Sequence, residues 1–310
     1  MKPVNIRRRI EKHRWLRSDG KPNFSTRIHK HDSELKYAGI KEVIKSSPHN
    51  SVLRVSELMY RNNIRAVPIT DSEDRILGLV TAMDLVNYFG GGDYFNIVKV
   101  KYGGNIYKAL NENISSIMKK DPATISVDRK LTDLLELMVL SGYGVIPIVD
   151  DENRVVGIVT ERDIVNYLSS RISLGVKVKD LMTKNVITIR EDESIKDALQ
   201  LMVSAGIRRL PIVNERNVVT GIVTAKDVVN VVGSHKIFSM AKTGNIEEFL
   251  NAKISEIGTS RVVTVSPDDD LSTAIGLMST YNVSGLLVTE NGTLVGIITE
   301  RDVIYALVTK

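Results

Sequence analysis

The chain contains no cysteine. Disulfides, thiolate metal sites and a cysteine nucleophile are therefore excluded, and a cytoplasmic setting is the expectation. Aromatic residues make up only 5%, with a single tryptophan, Trp15. No apolar run approaches the roughly 18–20 residues that span a bilayer, so no membrane association is expected. The arginine-rich start lacks the apolar stretch of a secretory signal. There is no Gly-x-Ser-x-Gly elbow and no His-Glu-x-x-His pair. Neither Gly90-Gly91-Gly92 nor Tyr102-Gly103-Gly104 leads into the Lys-Ser/Thr of a phosphate loop. His29-Lys30-His31 has few acids near it, so no metal is expected. With no nucleophile and base set together, the chain reads as non-catalytic.

What is present is a soluble-type composition over 310 residues, 43% hydrophobic and 25% charged, with a net charge of +5. The charge is unevenly spread. Residues 1–39 hold eleven of the 42 Lys/Arg and four of the 37 Asp/Glu, a net of +7, which leaves −2 for the remainder. Such asymmetry suggests an interaction tail on a near-neutral body.

Self-similarity organises that body. A Gly, two apolar residues, Thr, two variable residues and Asp recur at Gly78–Asp84, Gly157–Asp163, Gly221–Asp227 and Gly296–Asp302. Each copy closes a similar unit. In the second, Ala123 to Val127 reads as a strand and Leu131, Leu134, Leu135 and Met138 as a helix face. Val145 to Val149 and Val155 to Val159 read as two further strands around a turn, and a second helix follows. The third unit repeats this with Ile195, Ala198, Leu199 and Met202, the fourth with Leu271, Ala274, Ile275 and Met278. The first is weakest at its start, Val43 to Ser47, and clear at Ala66-Val67-Pro68-Ile69. The inserts near 90–112 and 232–252 are expected to carry some helix.

A second duplication lies above the first. Gly104-Asn105-Ile106 and Gly244-Asn245-Ile246 stand 140 residues apart, so the ancestral unit is a pair. The expected divisions are a basic tail over 1–39, repeat one with its insert over 40–112, repeat two over 113–172, repeat three with its insert over 176–251, and repeat four over 252–310.

This β-α-β-β-α unit with its Gly-apolar-apolar-Thr-x-x-Asp ending resembles the CBS domain, over about 40–308. The resemblance implies an α/β fold of α+β repeats. Four repeats would form two pseudo-two-fold modules in a disc, as in the gamma subunit of AMP-activated protein kinase. It also implies clefts that bind AMP, ADP, ATP or S-adenosylmethionine.

The residues suit that role. Thr-x-x-Asp stands where a strand meets a helix, and a helix start offers unpaired N–H groups to phosphate. The same four residues also form a capping pattern, Thr as N-cap and the acid at N3; the two readings are compatible. By resemblance, Asp84, Asp163, Asp227 and Asp302 would hold ribose, with Thr81, Thr160, Thr224 and Thr299 beside them. Arg162, Lys226 and Arg301 would neutralise phosphate, with Arg208 and Arg209 adding contacts in repeat three; repeat one has Met83 instead. Adenine would lie near Thr124, Ile125, Val145 and Pro147 in repeat two. Its counterparts are Thr188 and Pro211 in repeat three, and Thr264 and Leu287 in repeat four, where the strand proline is missing. Repeats two, three and four are therefore expected to bind ahead of repeat one.

The tail mixes Arg7, Arg8, Arg9, Lys12, Arg14, Arg17, Lys21, Arg27 and Lys30 with Trp15 and Phe24. Cations neutralise phosphates while aromatic planes stack on unpaired bases, which suggests an RNA-binding arm, largely irregular. A solvated leader is the plainer reading. Similarity to archaeal CBS-repeat dormancy factors points to the ribosome as target. A kinase or metabolic enzyme regulated in trans is the alternative partner, and a homodimer through the CBS modules is a further expectation.

Overall fold

The structure, a computed structural model, describes residues 24–25, 35, 42–169, 175–216 and 218–309. Repeat one supplies helix α1 (Val52–Arg61), strands β1 (Ala66–Thr70) and β2 (Ile76–Thr81) and helix α2 (Ala82–Val86). An isolated bridge from Ser46 to Ile69 marks its weak first strand. The first insert carries a short helix, Ile106–Leu110, which we call α3. Repeat two follows strand β3 (Lys119–Lys120) with β4 (Ile125–Ser126), α4 (Leu131–Ser141), β5 (Val145–Val149), β6 (Val155–Thr160) and α5 (Glu161–Ser169). Repeat three runs β7 (Ile189–Arg190), α6 (Ile195–Ala205), β8 (Arg209–Val213), β9 (Val219–Thr224) and α7 (Ala225–Gly233). The second insert holds α8 (Ile237–Met240) and α9 (Ile246–Asn251). Repeat four is β10 (Thr264–Val265), α10 (Leu271–Thr280), β11 (Gly285–Glu290), β12 (Thr293–Thr299) and α11 (Glu300–Thr309). Among the described residues, no helix is long and apolar enough to cross a membrane.

Each sheet has three strands. In repeats two, three and four a short strand pairs parallel with the middle strand, which pairs antiparallel with the last. Repeat one differs: its third strand is β3, lent by the lead-in to repeat two, with Gly78 opposite Lys120. Isolated bridges join Thr259 to Ile222 and Thr183 to Ile297 in the other pair. Two of the signature glycines, Gly78 and Gly221, follow from these crossings. A Cβ on Gly78 would lie 2.9 Å from the Lys119 carbonyl oxygen, and one on Gly221 2.8 Å from that of Thr259. Real Cβ atoms do not approach backbone so closely, so only glycine admits the crossing chain.

Backbone thus ties repeat one to two and three to four. Side chains tie them the other way. One core joins repeats one and three, with α1 against α7; the second joins repeats two and four, with α11 against α5. The internal duplication appears as a reciprocal pair of bonds. Ile106 N–H donates to Gly244 O and Ile246 N–H to Gly104 O, both at 2.8 Å. Both glycines have positive φ, +79° and +81°, which glycine adopts at no steric cost.

Three residues of the expected tail are described. Phe24 packs on the core of repeats two and four, and Leu35 is fully buried in it. Ser25 N–H donates to Val308 O at 2.7 Å, and Leu35 N–H to Arg129 O at 3.2 Å.

Candidate functional site

All four Thr-x-x-Asp junctions share one geometry. The aspartate Oδ2 accepts from the backbone N–H and the hydroxyl of the threonine three residues earlier. These distances are 2.7 and 2.7 Å for Thr81–Asp84, 2.8 and 2.6 Å for Thr160–Asp163, 2.7 and 2.8 Å for Thr224–Asp227, and 2.9 and 2.7 Å for Thr299–Asp302. The capping role is therefore present in every copy.

The junctions differ in what they face. A cavity of about 940 Å³ is lined by residues of all four repeats and takes in Thr81 and Asp84, Thr160 and Asp163, and Thr224 and Asp227. Repeat four contributes Glu300 and the segment Tyr281 to Gly285, but not Thr299 or Asp302; Asp302 is buried. The junction of repeat one, expected to bind last, thus opens into this cavity, and that of repeat four does not line it. Ile44, Leu79, Val145, Ile158, Ile222, Val263 and Leu287 give apolar wall.

Charge concentrates here. Arg65, Lys119, Arg162, Arg208, Arg209, Lys226 and Arg261 line the cavity, against Glu42, Asp84, Glu161, Asp163, Asp227 and Glu300. Arg65 and Arg208 occupy equivalent places just before β1 and β8. The Arg65 carbonyl accepts from Ala82 N–H and that of Arg208 from Ala225 N–H, each at 2.9 Å. Each arginine is thereby fixed to the junction of its own repeat. Small residues stand at the matching places in repeats two and four, Gly144 and Ser284. A Cβ on Gly144 would lie 2.6 Å from the Glu161 carboxyl, and one on Gly285 2.5 Å from Arg209 Nη1. Gly144 makes room for the carboxylate of its own repeat, and Gly285 for a guanidinium delivered by repeat three.

Arg65 Nη1 and Arg209 Nη2 both donate to the Ser284 hydroxyl oxygen, at 2.6 and 2.8 Å. Two guanidinium groups from different repeats thus share one neutral oxygen. Burial lowers the pKa of Arg65, and burial with Arg208 and Arg65 nearby pulls that of Arg209 down to about 10. Burial likewise lowers that of Lys226 and raises that of Asp227. Glu161 behaves oppositely. Burial works to raise its pKa, but Arg301 and Arg208 overcome it and hold it at about 2. Arg208 Nη2 lies 3.1 Å from Glu161 Oε2.

The three basic residues expected to meet phosphate just before an aspartate have other partners. Arg162 Nε donates to Glu300 Oε1 at 2.6 Å, and the same guanidinium bonds the Asn282 side chain. Arg301 Nε donates to Glu161 Oε1 at 2.6 Å and its Nη2 to Gly142 O at 3.1 Å. Carboxylates from the opposite repeat take the place expected for phosphate. Lys226 donates to the Asn63 side chain.

Of the other expected residues, Ile125, Pro147 and Pro211 are buried in their sheets, Thr124 and Thr188 are half-buried and Thr264 is exposed; none of these lines the cavity. Phe24 is a core contact, which corrects its reading as a base-stacking residue. Arg7, Arg8, Arg9, Lys12, Arg14, Trp15, Arg17, Lys21, Arg27 and Lys30 lie outside the described residues. Reasoning from sequence missed Arg65, Glu161, Ser284 and Glu300. Arg65 carried a signal: it precedes Ala66-Val67-Pro68 as Arg208 precedes Arg209-Leu210-Pro211. Among the described residues, no group of three His, Cys, Asp or Glu is placed to hold a metal.

The family model described as the CBS domain matches residues 39–91, 114–170, 178–234 and 254–309. Protein MJ1225 of Methanocaldococcus jannaschii is 32% identical over 272 residues, 87% of this chain and 97% of that one. A 33.4 kDa protein in the ribosomal RNA operon of Thermofilum pendens is 35% identical over 256 residues, 83% and 85% of the two chains. The crystal structure of MJ1225, described as a candidate archaeal homologue of g-AMPK, superposes with a TM-score of 0.82 at 31% identity, covering 87% of this chain and 98% of that one. A conserved protein of Pyrococcus horikoshii shares the fold at a TM-score of 0.56 and 19% identity, covering 89% of this chain and all of that one.

Proposed function

Because this chain belongs to the CBS domain family, with four repeats, we propose that it is a non-catalytic regulatory protein that binds adenine nucleotides in its central cavity. The observation that carries this reading is the placement of Arg65 and Arg209 on the single hydroxyl of Ser284. Like charges drawn together in a partly desolvated place favour an anion between them. Three junctions that each offer a carboxylate suited to sugar hydroxyls open into the same space. Apolar wall for a base is at hand in Leu79, Ile222 and Val263. A cavity of about 940 Å³ is of the size that holds small-molecule ligands.

Calorimetric titration with AMP, ADP, ATP and adenosine tests the reading. Arg209→Met is expected to weaken AMP by about 10- to 100-fold, the scale of a lost charge-assisted bond, and to leave adenosine unchanged. Equal AMP affinity in the variant and the parent chain would refute the assignment of phosphate to this cluster.

For the macromolecular target we propose RNA, reached by the basic residues before Phe24, with the ribosome first among candidates. The charge of that segment and the T. pendens relative in a ribosomal RNA operon support it. Deleting residues 1–23 is expected to abolish co-sedimentation with ribosomal subunits; unchanged co-sedimentation counts against it. A regulatory subunit of a kinase is the second reading, favoured by the description of MJ1225. It predicts a co-purifying kinase whose attachment survives the same deletion.

A further inference from the structure

The clefts of repeats one and three both reach the cavity, but they reach it through one set of charges. Arg65 is fixed to the junction of repeat one through Ala82, and Arg208 to that of repeat three through Ala225. Arg209 follows Arg208 in the chain and meets Arg65 at Ser284. A phosphate attached to a nucleoside in either cleft would use the same guanidinium groups. The charge available is also limited. Seven basic and six acidic side chains line the cavity, so one phosphomonoester dianion already exceeds the excess of positive charge. A second would enter a net-negative space of low dielectric, where like charges repel more strongly than in water.

We propose that the clefts of repeats one and three bind adenosine monophosphate with negative cooperativity, through competition for the Arg65–Ser284–Arg209 cluster. This rests on the nucleotide-binding reading above and specifies how that cavity is regulated. The first nucleotide binds at full strength and draws the cluster towards its own cleft. The second binds at least about tenfold more weakly, within the usual range of coupling between sites. Adenosine, which carries no phosphate, fills both clefts independently.

The full-length protein is titrated with AMP and with adenosine, as the parent chain and as Asp84→Asn and Asp227→Asn. Asparagine keeps an oxygen for the threonine cap while removing the charge offered to ribose. Two unequal AMP binding events are expected in the parent chain. Disabling the stronger cleft is expected to strengthen AMP at the remaining one about tenfold over the weak event of the parent, and to leave adenosine at that cleft unchanged. Merely different but independent clefts would keep the weak affinity in the variant, and that result overturns the proposal, as would equal AMP affinities in the parent chain. Failure of AMP, ADP, ATP and adenosine alike would remove the nucleotide-binding reading itself. Binding with independent clefts would remove only the cooperativity.

Discussion

Arg162 Nε stands 2.6 Å from Oε1 of Glu300, 138 residues away in the chain. Arg301 and Glu161 form the mirror contact at the same distance. Repeats two and four are therefore clasped by two ion pairs at the starts of α5 and α11. Glu300 is 3% exposed and also faces Arg65 at 4.0 Å. Glu300→Gln removes a buried charge that several cations face, and breaking a buried pair is costly. We expect a loss of about 2–3 kcal/mol in urea unfolding, reduced from the full penalty because glutamine still accepts a hydrogen bond. A cycle combining Arg162→Met with Glu300→Met should show the double variant less destabilised than the sum of the singles. Strict additivity would mean the pair contributes nothing.

The depressed pKa of Glu161 makes stability depend on acid. The folded-state value is about 2 against an ordinary 4.5. The unfolded chain therefore takes up a proton before the folded one does. The stabilisation is complete above the unfolded value and disappears as pH falls from about 4.5 to 2, a contribution of about 3 kcal/mol. Unfolding curves of the parent chain should steepen in their pH dependence across that window, and those of Glu161→Gln should lack this component. Identical profiles would mean the carboxylate is not held by Arg301 and Arg208.

The repeated unit, its three strands and both of its helices were legible because hydrophobic period and the Gly-apolar-apolar-Thr-x-x-Asp ending report local structure. The assembly was half legible. Repeats two and four read Thr-Glu-Arg-Asp, while repeats one and three carry Ala82 and Ala225 in place of the glutamate. That alternation matches the pairs that share cores. What sequence could not supply was the partner of each charge. Arg162 and Arg301 resemble phosphate ligands until Glu300 and Glu161 arrive from another repeat. Phe24 resembles a stacking residue until the core of repeats two and four covers it. Long-range pairing of this kind leaves no local pattern.

Two glycine-to-alanine changes should separate packing from function. In α7 a Cβ on Gly233 would lie 2.5 Å from the Ser56 carbonyl oxygen and from Tyr60 Cβ. Those atoms belong to α1, so the helices joining repeats one and three must part. Gly233→Ala should cost about 1–3 kcal/mol of stability, the scale of overpacking. Gly285→Ala meets the movable end of Arg209 at 2.5 Å and, less closely, the Ile298 carbonyl oxygen at 3.0 Å. It should cost less stability than Gly233→Ala and yet bind AMP about tenfold more weakly, as expected for a displaced charge-assisted donor. Thermal unfolding and calorimetry on the same samples check both. Unchanged AMP affinity in Gly285→Ala would mean that Arg209 does not reach the ligand.

The anchor of the basic segment offers a test that keeps tail and body apart. Phe24 packs on the core of repeats two and four, and the neighbouring Ser25 N–H bonds Val308 O at 2.7 Å near the end of α11. Phe24→Ala removes a half-buried ring without touching charge. A cost of about 1–2 kcal/mol is expected, below that of a fully buried ring. Loss of the ring should also speed proteolytic cleavage near residue 24, since local opening requires less free energy. RNA affinity is expected to remain under the proposed function, in which the basic residues and not this ring meet phosphate. Substituting Arg7, Arg8 and Arg9 by alanine should do the reverse. Stability stays constant, while RNA binding weakens and its salt dependence becomes shallower by about three in slope. If Phe24→Ala abolished RNA binding with its fold intact, the ring would be a base platform after all and its core contact incidental.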